Sequence, residues 1–197
     1  MKKIYQILMM LLMVSFCTVS TFVTKAEAAG IVLLPLINNV EVEDVEAAYY
    51  NSSVDSIKDQ VKYEMVDNEQ VTAAIEKYTV KGQIPNEDAL RNIAEAADAD
   101  LVVCMQLDKL SLDPVPFRTK EELYRLQIEG LAASYDRETN SYKCKKIYKD
   151  EEYDILQIVR VNAQLREWSR MVRHEMHRVM QVKGFKADKP RFQKPKL

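Results

Sequence analysis

A mixed α/β (α+β) domain is predicted from three features of the chain. Residues 101–107 read as a strand whose middle is continuously apolar, the pattern of a strand covered on both faces. Ahead of it, short strand patterns alternate with helical ones, as in a parallel sheet. Behind it, residues 123–135 and 142–153 alternate with period two and are joined by the polar stretch DRETNS, which reads as an antiparallel hairpin. The expected sheet is therefore parallel in its first half and an antiparallel hairpin or meander in its second. Helices cover it, including a long carboxy-terminal one.

Each element follows from local pattern. Residues 30–37 (GIVLLPLI) form a short, branched-rich apolar run, a buried strand ended by Asn38-Asn39. Val45, Ala48, Tyr49, Val54, Ile57 and Val61 recur at helical spacing, which predicts a helix over 44–60. Asn51-Ser52-Ser53 is expected to break or kink it, because short polar side chains compete for backbone hydrogen bonds. Residues 62–66 (KYEMV) alternate as a second strand. Asp67 or Asn68 then caps a helix with Val71, Ala74, Ile75 and Tyr78 on one face.

Gly82 and Pro85 punctuate a loop, and Asn86 caps the next helix, whose positive end suits Glu87 and Asp88. Leu90, Ile93, Ala94 and Ala97 form its buried stripe. The strand from 101 follows, and Asp113-Pro114-Val115-Pro116 is expected to be a turn or loop. The last helix is predicted over 160–182, with Val161, Leu165, Trp168, Val172, Met176 and Val179 at steps of three or four. Trp168 is expected in the core.

The ends carry different signals. Lys2 and Lys3, an apolar run from Ile4 to Val14 and the small residues Ala26-Glu27-Ala28 make residues 1–28 a secretory signal peptide. The apolar run is shorter than the ~20 residues of a membrane span. An uncleaved anchor is the alternative, and lipidation at Cys17 is disfavoured by the bulky Phe16. Residues 29–182 are read as a single α/β domain. Residues 183–197, with Lys183, Lys186, Lys189, Arg191, Lys194 and Lys196 against Asp188, are read as a basic, disordered tail suited to an anionic envelope polymer or lipid surface. The formal net charge of −2 argues against nucleic-acid binding.

The sequence carries no recognisable catalytic constellation. The chain has four glycines, Gly30, Gly82, Gly130 and Gly184, none close together, which excludes phosphate-cradling loops. His174 and His177 are three apart, not the i, i+4 spacing of a zincin helix, and are weak metal candidates. Glu41, Glu43, Asp44 and Glu46 cluster just beyond the first strand, where open α/β sheets bind ligands, and could hold a cation or basic partner; a solvated acidic helix start, favoured by the helix dipole, is the simpler explanation of the same residues. No cofactor is expected. In a meander, Cys104 and Cys144 fall on strands separated by a third, ~9–10 Å apart, so no disulfide is expected.

The order of elements, with Pro35 closing the first strand, Asp67 closing the second, and the step Ala99-Asp100-Leu101-Val102-Val103, resembles the α/β domain of the TolB amino-terminal domain and of envelope proteins similar to CsgG and LpoB. The resemblance covers about residues 30–182. It implies a non-enzymatic, envelope-associated interaction domain whose partner is another envelope protein. The expected protein is thus exported, periplasmic or extracellular. The alternative is a small-ligand or cation binder near Glu41–Glu46.

Overall fold

The chain folds around one six-stranded mixed sheet. The computed structural model describes residues 29–60, 62–115, 123–154 and 162–180. The expected leader, most of the linker before the last helix, and the basic tail lie outside the described residues.

Strand β1 (Ala29–Leu33) sits between β3 (Tyr63–Met65) and β4 (Leu101–Pro114), parallel to both. The two-residue β2 (Ile37–Asn38) adds to β4 further along, also parallel. β4, β5 (Leu123–Asp136) and β6 (Ser141–Asp154) form an antiparallel meander of three 14-residue strands. The order is β3-β1-β4-β5-β6. The parallel first half and antiparallel second half match the expectation.

Two helix pairs cover the faces. α1 (Val45–Lys58) and α4 (Ala163–Val179) pack on one; α2 (Glu69–Tyr78) and α3 (Glu87–Ala97) pack on the other. On the first face Ile31, Met105, Leu107, Leu126 and Ile128 meet Tyr49, Trp168, Val172 and Met176. On the second Val32, Val102, Cys104 and Ala133 meet Val71, Leu90, Ile93 and Ala94. Alternation along β1 and β4 sends neighbouring residues to opposite cores, so Leu101 to Met105 are all buried.

The predicted caps form. Asn68 Oδ1 accepts from Val71 N–H at 3.0 Å and Asn86 Oδ1 from Ala89 N–H at 2.9 Å. Two expectations are corrected. α1 runs unbroken through Asn51-Ser52-Ser53: Ser52, Ser53 and Ser56 are buried, and Ser56 returns its hydroxyl to the Ser52 carbonyl at 2.7 Å. Small side chains there let the helix pack closely. Nor is there a turn at 113–115. β4 runs to Pro114, opposite Tyr124, and Val115 N–H donates to Leu123 O at 2.8 Å. A proline at a strand end removes only a donor the ladder can spare.

β4 bulges between Leu107 and Lys109, opposite Gly130. A Cβ on Gly130 would lie 2.1 Å from the Gln106 carbonyl oxygen, so only glycine permits this approach.

Candidate functional site

The chain leaves β1 toward α1 on one face and leaves β3 toward α2 on the other. Neighbouring parallel strands whose connections diverge open a crevice at their carboxyl ends. Here that crevice is a half-open groove with two adjoining lobes of about 520 and 420 Å³. Leu34, Pro35, Leu36, Glu46 and Ile75 line both lobes.

The groove is built by fixed backbone. Leu34 N–H donates to Val103 O at 2.9 Å, and Tyr49 donates its hydroxyl to Leu34 O at 3.0 Å. Val66 N–H donates to Ile31 O at 2.8 Å and holds the end of β3 beside β1. Val71, Thr72 and Ile75 of α2 form the opposite wall of the first lobe. Tyr50, 49% exposed, stands at its edge, and Val80, 62% exposed, at that of the second.

The charge is one-sided. Glu46, Asp67 and Glu76 line the first lobe, and Lys81 enters only in the second. Burial, with a smaller push from Cys104, raises the Tyr49 hydroxyl well above its usual 10.0. Burial, then Cys144, pushes the Cys104 thiol up to about 12. Both stay protonated at neutral pH, so neither supplies a base or a thiolate.

Of the acidic residues singled out from sequence, the structure brings only Glu46 into the groove; Asn38 Nδ2 approaches its Oε1 at 3.5 Å. Glu41, Glu43 and Asp44 are exposed in the loop before α1, with Asp44 in the left-handed region at φ 61°. His174 and His177 lie elsewhere. α4 runs alongside α1, with Trp168 Nε1–H donating to Val45 O at 3.3 Å and Arg173 paired to Asp55 at 3.2 Å. His177 thus sits near Asp59, past the far end of α1, ~20 Å along that helix from Asp44. Burial lowers the His177 pKa, with Asp59 acting in the opposite sense. The two sets of weak metal candidates do not converge. Cys104 and Cys144 face the same Ala133 from either side of β5, and both thiols are free.

Sequence reasoning missed a second constellation. Glu167 and Glu175 of α4, 4% and 5% exposed, reach β6: Lys149 Nζ lies 2.8 Å from Glu167 and Lys145 Nζ 3.8 Å from Glu175. Arg170 and Arg178 complete the pairs at 3.0 and 2.5 Å. This network clamps the outer strand to the last helix.

No protein-family model matches this chain, and no curated protein matches it. Several solved structures are similar to this chain at low sequence identity. Hypothetical protein CT253 from Chlamydia trachomatis is 8% identical, with a TM-score of 0.48, over 78% of this chain and 99% of that one. Lipoprotein GNA1162 from Neisseria meningitidis is 9% identical, with a TM-score of 0.42, over 78% and 99%. The LpoB C-terminal domain from Salmonella enterica is 12% identical, with a TM-score of 0.36, over 70% and 93%. No functional residue is carried over from these similarities. Among the described residues no helix is long and apolar enough to cross a membrane.

Proposed function

We propose that this protein is exported to the cell envelope and acts without catalysis, by holding a segment of another envelope protein in the groove between Pro35 and Ile75. The observation that carries the reading is the groove's composition. Its apolar lining comes from Leu34, Leu36, Val71 and Ile75, and its rim carries Glu46, Asp67 and Glu76. An apolar lining supplies affinity by area removed from water, and a carboxylate rim selects lysine or arginine on the ligand. A half-open trough admits a chain passing through it, whereas a small metabolite is better served by an enclosed cavity. The leader at 1–28 supports export, and the basic tail at 183–197 suits attachment to an anionic surface.

A second reading has one observation in its favour: the groove occupies the switch point at which α/β sheets hold small ligands, and Glu46 lines both lobes. Selection from a random peptide library on residues 29–197 separates the two. Peptides mixing apolar and basic residues, whose binding is lost in Ile75→Glu and weakened in Glu46→Lys, support the first reading. No selected peptide, with a cation or metabolite mixture shifting the resonances of the groove residues, supports the second.

A further inference from the structure

Over residues 141–151 the outer edge of β6 is, among the described residues, the longest strand edge without a partner strand. Long bare edges invite another strand, and proteins blunt them with scattered charge. The charge here is ordered. Lys143, Lys145, Lys146 and Lys149 occupy the first part, and Asp150, Glu151, Glu152 and Asp154 the second. A strand basic at one end and acidic at the other repels a parallel copy of itself and attracts an antiparallel one.

We propose that β6 pairs antiparallel with β6 of a second copy about a two-fold axis through Tyr148, joining two sheets into one. The register follows from face and charge. In a continuous sheet, paired residues share a face, so only alternate registers are open. With Tyr148 opposite Tyr148 of the second copy, Lys146 meets Asp150, Lys145 meets Glu151 and Ile147 meets Lys149. No like charges oppose. Shifting the axis to Ile147 sets Lys145 against Lys149, and shifting it to Lys149 sets that lysine against itself. Opposed like charges destabilise strand pairs.

The surrounding face is prepared for this register. Tyr148 is 56% exposed on the part of the sheet beyond α2 and α3, and its hydroxyl donates to Asp150 at 3.2 Å. Arg125 Nε–H donates to Asp150 at 2.6 Å, and Lys146 lies 3.3 Å from Glu129. Pairing continues these contacts into an alternating row, Arg125, Asp150, then Lys146 and Glu129 of the second copy, repeated on the other side of the axis. The same-patch interface closes on itself and stops at two copies.

The test uses residues 29–197. Across an antiparallel pair the Cα atoms of opposed residues lie ~4.5–5.5 Å apart, within disulfide reach. Tyr148→Cys in a Cys144→Ser background is expected to form a disulfide-linked dimer under mild oxidation, while native Cys144, displaced from the axis, is expected to give none. Sedimentation is expected to show a dimer that weakens with salt. Lys145→Glu/Lys146→Glu and Asp150→Lys/Glu151→Lys variants, each checked for native circular dichroism, are expected to self-associate at least tenfold more weakly. Mixed together, they are expected to recover a heterodimer. A wild-type chain monomeric at 100 μM, or a folded Tyr148→Cys chain that stays monomeric on oxidation, would overturn the proposal.

Discussion

Tyr49 donates its hydroxyl to the carbonyl oxygen of Leu34 at 3.0 Å, joining α1 to the end of β1 where the groove begins. Tyr49 is 2% exposed, so neither group has water as a substitute. Removing the hydroxyl in Tyr49→Phe leaves the ring packed and one buried bond lost. The expected cost is about 1–2 kcal/mol in urea unfolding, with weaker binding in the groove. Unchanged stability would show that the contact does not fix the strand end.

The Lys149–Glu167 pair carries a pH signature. Burial pulls Lys149 down, but the Glu167 carboxylate and Tyr153 hydroxyl outweigh it, and the net direction is up from 10.5. Burial pushes Glu167 up, but Lys149 and Arg170 outweigh it, and the net direction is down from 4.5. A raised lysine stabilises fully below its ordinary value and loses this as pH climbs past its folded value; a lowered carboxylate stabilises above its ordinary value and loses this as pH falls. Lys149→Met is expected to cost about 2 kcal/mol between those pH values and less on either side, because Arg170 still faces the buried carboxylate. Denaturant titrations across the pH range check it.

Gly130 faces the bulge in β4. Gly130→Ala would drive a methyl group into the Gln106 backbone carbonyl, which cannot swing aside as a side chain could, and about 3 kcal/mol of destabilisation is expected by thermal or urea unfolding. A fully stable alanine variant would mean that the two strands separate locally at little cost.

The two thiols of residues 29–197 are expected to react differently. Cys144 is exposed and Cys104 is buried with its thiol pushed up to about 12. A thiol reagent at pH 8 is expected to label Cys144 in the native chain and Cys104 only after unfolding, read by peptide mass analysis.

Much of the architecture was legible because it rests on local signals. Asn68 and Asn86 announced two helices by cap chemistry, and consecutive apolar residues from Leu101 announced a strand buried twice over. The serines of α1 misled because they are buried in the folded chain, which their local polarity does not announce. Glu167 and Glu175 read as solvated charge on a helix, since the lysines that bury them belong to β6. The groove was half legible. The acidic stretch after β1 pointed to the right end of the sheet, but the α2 wall of Val71 and Ile75 comes from a separate element that no spacing links to Pro35.

The reading of the groove as a docking site is tested by placing a photo-reactive residue at Tyr50, and separately at the exposed Glu64 of β3, in the full-length protein in its native cells. The account predicts that Tyr50 captures one envelope protein reproducibly, that Glu64 does not, and that Ile75→Glu abolishes the capture. Equal capture from both positions, or none from Tyr50 in the folded, exported protein, would contradict it.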